Sequence, residues 1–596
     1  MTIDLVEYNP IHSRDDYRAL IKEIAKADSV MLYCGAGISY PFTNMNWATL
    51  IRAVIQDARK EIEEVSAFRA KESPDRIYRD FVNLIKSSND LLASASTIVA
   101  YLDQNGGPGN NITSDLILRR AIGRAIYPGT RYSRQSFAHS NFQNPPLMEA
   151  LVALIHSFVS NKKQVRIVTT NYDTYMEESL QNIFVPMSVN DRTPYELIVQ
   201  SCTGSELPHI ESDPSKVPLL YLHGRIPSDS DESSKTSEDT LVFSEIDYHK
   251  KRQSTQDILD RASNDMDCVL VLGSSLNDPP LKEWIQSNKE KREPTAVIVI
   301  QPVFRDLYCH EIDERKRVFS AQMTALRYKA IGVKHYVPTR CYSDIPMVLR
   351  DIIMYGTRRT VVPETGGLTY YQIKEWGERV SQNLGKTKIQ SMIAELLDNN
   401  RKRLIREVRA ILGNVSVTVK TELWLRAIEP HIGDPAYLVK ATDSTCMTIK
   451  GKYRRSESFF RRFPSRSAAL RTAQIGEVSF LTLDDLGLST ESSRWQAFYG
   501  MPIYTNIETL IGAPTNIDAR SLVRVPVGSV IIAIMLKEKD HQFVSLSERE
   551  AFSNQIKKLS KQIASSNLEE SMNEHLSILT QLLEGLIKNY INIIEG

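Results

Sequence analysis

Gly35-Ala36-Gly37-Ile38-Ser39 directly follows the apolar run Val30-Met31-Leu32-Tyr33, and three more short motifs repeat that arrangement further along the chain. Thr169-Thr170-Asn171-Tyr172-Asp173 follows Val165-Arg166-Ile167-Val168. Leu222-His223-Gly224 follows Leu219-Leu220-Tyr221, and Gly273-Ser274-Ser275-Leu276 follows Cys268–Leu272. Open parallel sheets present their ligand-binding loops at the ends of their strands. A lone G-x-G is an ordinary tight turn. Four strand-terminal motifs in order predict one site built at one sheet edge. Beyond the glycines, Trp47, Leu50, Ile51, Val54, Ile55 and Ala58 fall on one helical stripe. Strand, glycine turn and helix together are the context that a phosphate-binding G-x-G requires.

Working outward, Ser13-Arg14-Asp15-Asp16 reads as a capping box ahead of the helical spacing Tyr17, Leu20, Ile21 and Ile24. Residues 66–145 read as a helical insertion with the Gly/Asn-rich loop Asn105–Asn111. Leu147–Ile155 is an apolar helix, and Tyr175–Leu180 another. Ser228–Thr240 is a polar loop. Ala296–Ile300 and Lys334–Val337 are further strands, and helix Ile345–Met354 closes the unit. Alternating strands and helices over this span predict an α/β fold with a doubly wound parallel sheet.

Gly356–Gly367 is the linker expected from its Pro and Gly content. A helical segment, Tyr370–Leu412, follows. Strand-like runs then occur at Val415–Val419, Ala436–Val439, Val478–Leu481, Leu522–Val527 and Val530–Leu536. The chain ends in an amphipathic helical region with Ile578, Leu579, Leu582, Leu583, Leu586, Ile587 and Tyr590 on one face, for packing within the domain or between copies. The expected units are therefore 1–358, connecting helices 359–413, an α+β unit 414–565 and a terminal helix 566–596.

Bulk properties exclude several classes. A chain of 596 residues exceeds one core, and length alone suggests about three to five units. Hydrophobic residues make up 42% and charged residues 24%, as in a soluble globular protein. A net charge of +1 gives no global field for nucleic acid or membrane. The six cysteines are scattered, which fits a reducing, cytoplasmic setting. Met1–Glu7 has neither the basic nor the apolar part of a signal peptide. The apolar run Val525–Leu536 is too short to span a bilayer and reads as a core strand.

The four motifs together resemble the sirtuin-like, Rossmann-type NAD-binding fold over residues 15–355. They resemble in particular its bacterial branch in anti-phage defence proteins, where the domain hydrolyses NAD. Two departures from the deacylases support that choice. Cys34, Cys202, Cys268, Cys309, Cys341 and Cys446 form no C-x-x-C pair, so a structural zinc ribbon is not expected and no metal is implied. The deacylase stretch after the glycines, Gly-Ile-Pro-Asp-Phe-Arg in type, is replaced by Pro41-Phe42-Thr43-Asn44-Met45-Asn46-Trp47. Residues 468–481, with Leu522–Ala533 and the helix start at Ser545–Glu550, resemble the central and closing parts of a GAF domain.

The resemblance implies an NAD glycohydrolase releasing nicotinamide and ADP-ribose, with NAD as substrate. Asn171 and His223 would be catalytic. Gly35, Ala36, Gly37, Ser39, Thr170, Asp173, Gly273, Ser274 and Ser275 would bind NAD, and the insertion would cover the cleft. Gly35 and Gly37 would bring backbone N–H groups to the diphosphate, and Ser39 a hydroxyl. Asn171 would sit against the nicotinamide ribose and the attacking water, or form an Asx-turn. His223 would act as general base or bind a ribose hydroxyl. Asp173 would orient the site or cap the following helix. Asn277-Asp278-Pro279 reads as turn chemistry, and Cys34 as a buried core thiol.

The carboxy-terminal half would sense a trigger, and the protein would assemble as a homo-oligomer. Lys450–Arg471, where basic residues alternate with Tyr453, Phe459, Phe460 and Phe463, is either a trigger surface or a solvated helix face over a core. An NAD-dependent protein deacylase and a non-catalytic NAD- or ADP-ribose-binding module are the alternative readings.

Overall fold

A computed structural model describes residues 15–43, 45–64, 91–105, 114–127, 145–182, 195–204, 212–227, 240–274, 278–302, 314–339 and 342–356. In the carboxy-terminal half it describes 416–427, 437–443, 456–458, 467–475, 479–483, 497–506 and 524–537, with single positions between these spans. The capping box at Ser13, Ser275, the linker, the terminal helix and most of Lys450–Arg471 lie outside the described residues.

Helix α1 (Asp15–Lys26) leads into β1 (Ser29–Cys34). Short α2 (Tyr40–Thr43) and α3 (Trp47–Glu64) follow the glycine turn, and α4 (Leu91–Asn105) and α5 (Ser114–Ile126) are the described part of the insertion. Next come α6 (Pro146–Ser160), β2 (Gln164–Thr169), α7 (Tyr175–Asn182), β3 (Glu196–Ser201) and β4 (Lys216–Tyr221). Then α8 (Glu245–Ser263), β5 (Cys268–Leu272), α9 (Pro279–Lys289), β6 (Ala296–Pro302), α10 (Glu314–Ile331), β7 (His335–Thr339) and α11 (Ile345–Gly356) complete the domain.

The seven strands form one sheet in the order β3-β4-β2-β1-β5-β6-β7. All its pairings are parallel. Successive side chains of a strand point to opposite faces. Val30, Leu32 and Cys34 of β1 therefore pack under α1, α6 and α11, while Met31 and Tyr33 pack against α8, α9 and α10. Burial on both faces explains why these strands read as unbroken apolar runs. Arg166 is the exception in β2. It is buried, and its guanidinium donates to the carbonyls of Arg261, Ala262 and Asn264 at 3.1, 3.1 and 2.8 Å, satisfying the carboxyl end of α8. Strand β3 was not expected, because Leu197-Ile198-Val199 is too short a run at a half-exposed edge.

Register brings the motif loops together. Cys34 pairs with Thr169 on one side and Leu272 on the other, and Thr169 pairs with Tyr221. All four loops leave the same carboxyl edge. The strand order reverses between β1 and β5, the topological switch point where open α/β sheets bind ligands. The insertion is anchored beside this edge: α3, α4 and α5 share a core with Tyr172, Ile226, Leu241 and Phe243.

In the carboxy-terminal half, β8 (Ser416–Ala427), β9 (Tyr437–Asp443), β10 (Ser456–Ser458), α12 (Ala468–Ile475), β11 (Ser479–Thr482), β12 (Ala497–Asn506) and β13 (Arg524–Lys537) make an α+β unit. Its sheet runs β10-β9-β8-β13-β12-β11, antiparallel throughout. Three expectations change. Residues 468–475 are helix, with Ala468, Ala469 and Ala473 buried against Trp424 and Ile531, so only the end of the 468–481 stretch is strand. The runs 522–527 and 530–536 are one strand, not two. Pro526 is tolerated because β13 there pairs only with β12, and β8 joins from Gly528 onward. Within Lys450–Arg471, Ser456–Ser458 is strand, which breaks the single-helix reading.

Candidate functional site

The turn after β1 and the turn after β5 are locked together by backbone. Gly35 N donates to Leu272 O and Gly37 N to Gly273 O, each at 2.9 Å. A Cβ on Gly37 would lie 2.8 Å from Gly273 Cα, and one on Gly35 would lie 2.8 Å from Gly273 O. Gly273 itself has φ +65°. These glycines are needed because two backbones touch. The two N–H groups expected at a diphosphate are thus spent inside the protein, so any phosphate contact has to come from other atoms of the turn.

Ser39 is also committed. Its hydroxyl donates to Asp173 Oδ1 at 2.7 Å and accepts from Asn171 Nδ2 at 2.9 Å. Asp173 Oδ1 also accepts from Tyr175 N at 3.3 Å. Asp173 therefore accepts from the first residue of α7 and also holds the Ser39–Asn171 chain. Burial pushes its carboxyl up to about 6, against the hydrogen bonds from Ser39 and Tyr175. With Nδ2 held, Asn171 keeps its Oδ1 buried and without a hydrogen-bond partner among the described residues. The bond from Asn171 N to Thr169 Oγ1, at 3.1 Å, fixes the backbone beneath it.

His223 leaves the neighbouring strand at the same level. Leu222 N donates to Thr169 O at 2.9 Å, and Val242 N to His223 O at 3.0 Å. Gly224 follows at φ +93°, where a Cβ would strike Leu241, so the chain turns away immediately after the imidazole. His223 is buried. Its Nδ1 lies 3.5 Å from the Tyr248 hydroxyl, the long limit of a hydrogen bond, and the two rings meet edge-on. Nε2 is buried without a partner among the described residues. Burial lowers the imidazole pKa, with the charge of Asp278 and a Thr170 backbone contact opposing, so the ring is neutral near pH 7.

Residues outside the motifs complete the wall. Tyr33, on the β1 face toward α8, donates its hydroxyl to Asp278 Oδ2. Tyr172 donates to Val242 O at 2.7 Å. Burial raises the pKa of Tyr33, Tyr172 and Tyr248, keeping all three phenols neutral. Ser274 is buried, and its hydroxyl accepts from Leu276 N at 3.4 Å, closing its own turn. Leu276 is held there at φ +55°, a rare setting for a bulky residue. Cys34 is a core thiol, as expected, with burial raising its pKa to about 12.

The site thus unites loops from β1, β2, β4 and β5 around the buried, unsatisfied Asn171 Oδ1, His223 Nε2 and Asp278 Oδ1. Residues 165–323 match the model of the SIR2-like domain. The match begins in β2, so it takes in Asn171, His223 and Gly273–Ser274, while Gly35–Ser39 lies ahead of it. No curated protein matches the chain. SIR2-like domains are NAD-dependent enzymes, and NAD-related activity is consistent with this one. Among the described residues no group of three His, Cys, Asp or Glu side chains could hold a metal ion, and no helix is long and apolar enough to cross a membrane.

Tyr33, Tyr248 and Asp278 were not legible as site residues. Tyr33 reads as core, Tyr248 lies in a polar helix, and Asp278 looks like a turn residue. A signal was present for Asp278, since Asp before Pro-Pro at a helix start is a capping position that can be checked for its partner.

Proposed function

We propose that the SIR2-like domain is an NAD glycohydrolase. The observation that carries this reading is the pair of buried, unsatisfied atoms, Asn171 Oδ1 and His223 Nε2, in the loops that leave the adjacent strands β2 and β4 at the carboxyl edge of the sheet. Burying such groups without partners costs free energy, which a folded protein bears where a ligand supplies them. A pure binding module has no need of a neutral imidazole beside a fixed amide.

The bond to be broken joins nicotinamide to the anomeric carbon of the ribose. Its electron pair leaves with nicotinamide, which departs neutral, and the ribosyl carbon passes through an oxocarbenium-like state as in glycoside cleavage. Water supplies the new oxygen. Asn171 Oδ1, with Nδ2 already engaged, accepts a hydrogen bond that orients this water or the ribose. His223 Nε2, neutral near pH 7, takes the proton.

The deciding experiment incubates the purified protein with NAD, with and without an acetylated peptide, and measures nicotinamide and ADP-ribose. Peptide-independent ADP-ribose supports hydrolysis. Product formed only with peptide, as an acylated ADP-ribose, would establish the deacylase reading.

The same reading assigns control to the carboxy-terminal half, as a GAF-like sensor in an anti-phage NAD-depletion protein that works in the cytoplasm as a homo-oligomer. The six-stranded antiparallel unit with α12 across it supports a sensor. A trigger shifts activity only by favouring the active arrangement over the resting one. Reversing charge at Arg454, Arg455, Arg461 and Arg462 together should uncouple trigger from NAD loss. Unchanged protection of phage-challenged cells by that variant would exclude Lys450–Arg471 as the trigger surface.

A further inference from the structure

Asp278 occupies the residue before α9, where Asp ordinarily accepts a hydrogen bond from the helix's first turn. Here its side chain makes no capping bond. It turns instead toward the sheet. Oδ2 takes the Tyr33 hydroxyl, and Oδ1 is buried with no hydrogen-bond partner among the described residues. Tyr33 is fully buried in β1, so the hydroxyl that holds Asp278 is itself fixed. Tyr33 is the penultimate residue of β1, so the carboxylate it holds stands at the same carboxyl edge as the imidazole, and its charge acts on His223, Tyr172 and Tyr248.

Three phenols, the His223 imidazole and the Asn171 amide carry no charge near pH 7, and the other carboxylates nearby, Asp173 and Asp247, are spent on hydrogen bonds from Ser39 and Tyr175 and from the Ser244 cap. A carboxylate among them is the natural complement to a buried positive charge. Resting on the NAD reading above, we propose that Asp278, held by Tyr33, is the carboxylate of this site with an oxygen left for a ligand. It stabilises the positive charge of NAD, on the nicotinamide ring before cleavage and on the ribosyl carbon as the bond breaks. The C–N electron pair goes to nicotinamide, water adds to the ribosyl carbon, and its proton goes to His223. Asp278 forms no bond in the step; it acts through its charge, among buried groups where charge is most effective.

Two measurements on the full-length protein test this. Asp278→Asn keeps size and the Tyr33 contact but removes the charge. NAD turnover should fall by about 100-fold or more, the scale of one lost electrostatic group in an active site. Tyr33→Phe should lose about tenfold, because the carboxylate remains but is no longer held. ADP-ribose, which lacks the cationic ring, should bind both variants within about twofold of wild type, showing that the site has folded.

The second measurement does not depend on turnover. In the Asn171→Ala background, the affinities for NAD and for its reduced, uncharged-ring form are compared with and without Asp278→Asn. The preference for the oxidised form should shrink by about tenfold or more when the charge is removed. Undiminished turnover in Asp278→Asn overturns the proposal, and so does an unchanged oxidised-to-reduced preference. If the wild-type protein does not consume NAD at all, the hydrolase reading fails by itself, and the affinity ratio still decides whether Asp278 reads the ring's charge.

Discussion

Gly37→Ala tests the claim that the two glycine turns are pressed together. The new methyl carbon would sit 2.8 Å from Gly273 Cα and 2.9 Å from Gly273 O, both backbone atoms with no rotamer to change. Ordinary contact begins at 3.4 Å, so the β5 turn must retreat from 2.8 to 3.4 Å, about 0.6 Å. The 2.9 Å bond from Gly37 N to Gly273 O is strained by the same movement. Overpacking of this kind costs about 1–3 kcal/mol. At about 2–4 °C per kcal/mol for a domain of a few hundred residues, the SIR2-like domain should melt about 2–12 °C lower. Ser39, two residues on, holds Asn171, and a misplacement of about 1 Å can cost about 100-fold in rate. A shift over half that size should cost about tenfold in NAD consumption. Gly204→Ala is the control, since among the described residues nothing lies within 4 Å of its Cβ position. Calorimetry and chromatographic assay of NAD and ADP-ribose give both readouts. A Gly37→Ala protein that melts and turns over like Gly204→Ala would refute the close approach of the loops.

Asn171→Ala and His223→Ala should each lower NAD turnover by about 100-fold or more, with stability lowered by about 1 kcal/mol or more from the lost Asn171–Ser39 bond and His223–Tyr248 contact. Retained turnover in both would take them out of the chemistry. Turnover should be constant above pH 6.5 and fall along an acid limb with its midpoint below 6.5, since burial lowers the His223 pKa. A midpoint above 6.5 would contradict a buried neutral base. Asp173, raised from 3.8 to about 6, binds its proton more tightly folded than unfolded. Its contribution therefore favours folding below pH 3.8 and is lost as pH rises through 6. The change is about 3 kcal/mol, and Asp173→Asn should abolish it in denaturant titrations between pH 4 and 7. An equal pH slope in the variant would show that Asp173 is not so shifted. Elemental analysis should find no stoichiometric zinc, because the cysteines lack metal-site pairing.

Much of the amino-terminal fold could be read directly, because buried parallel strands are unbroken apolar runs and their motifs sit at the ends. Cys34, Thr169, Tyr221 and Leu272 mark one edge even in the bare sequence. The edge strand β3 lacked that signal, having only three apolar residues in a half-exposed setting. In the carboxy-terminal half, β12 mixes Gly500, Pro502 and Asn506 with its apolar residues, and α12 is only eight residues long. Neither offers a period long enough to recognise. At the site, the residue types were legible and their partners were not. Ser39 looks like a ligand donor until its hydroxyl is found between Asn171 and Asp173. Asp278 looks like a turn residue until its carboxylate is found on the Tyr33 hydroxyl. Which atom is already engaged is a property of packing, and no local spacing encodes it.

Arg166 gives α8 the character of a lever with a clamped end. The helix starts at a capping box made by Ser244 and Asp247 and ends at the three carbonyls that Arg166 holds. Tyr248, beside His223, and Arg261, at the clamp, lie thirteen residues apart, about 20 Å along the axis. The clamp belongs to β2, the strand whose far end carries Asn171. One guanidinium therefore ties the rod that delivers Tyr248 to the strand that leads to Asn171. Loosening it would swing the phenol across the imidazole from a point remote from the chemistry, and alignment of the reacting groups is in that sense set at the opposite end of the sheet.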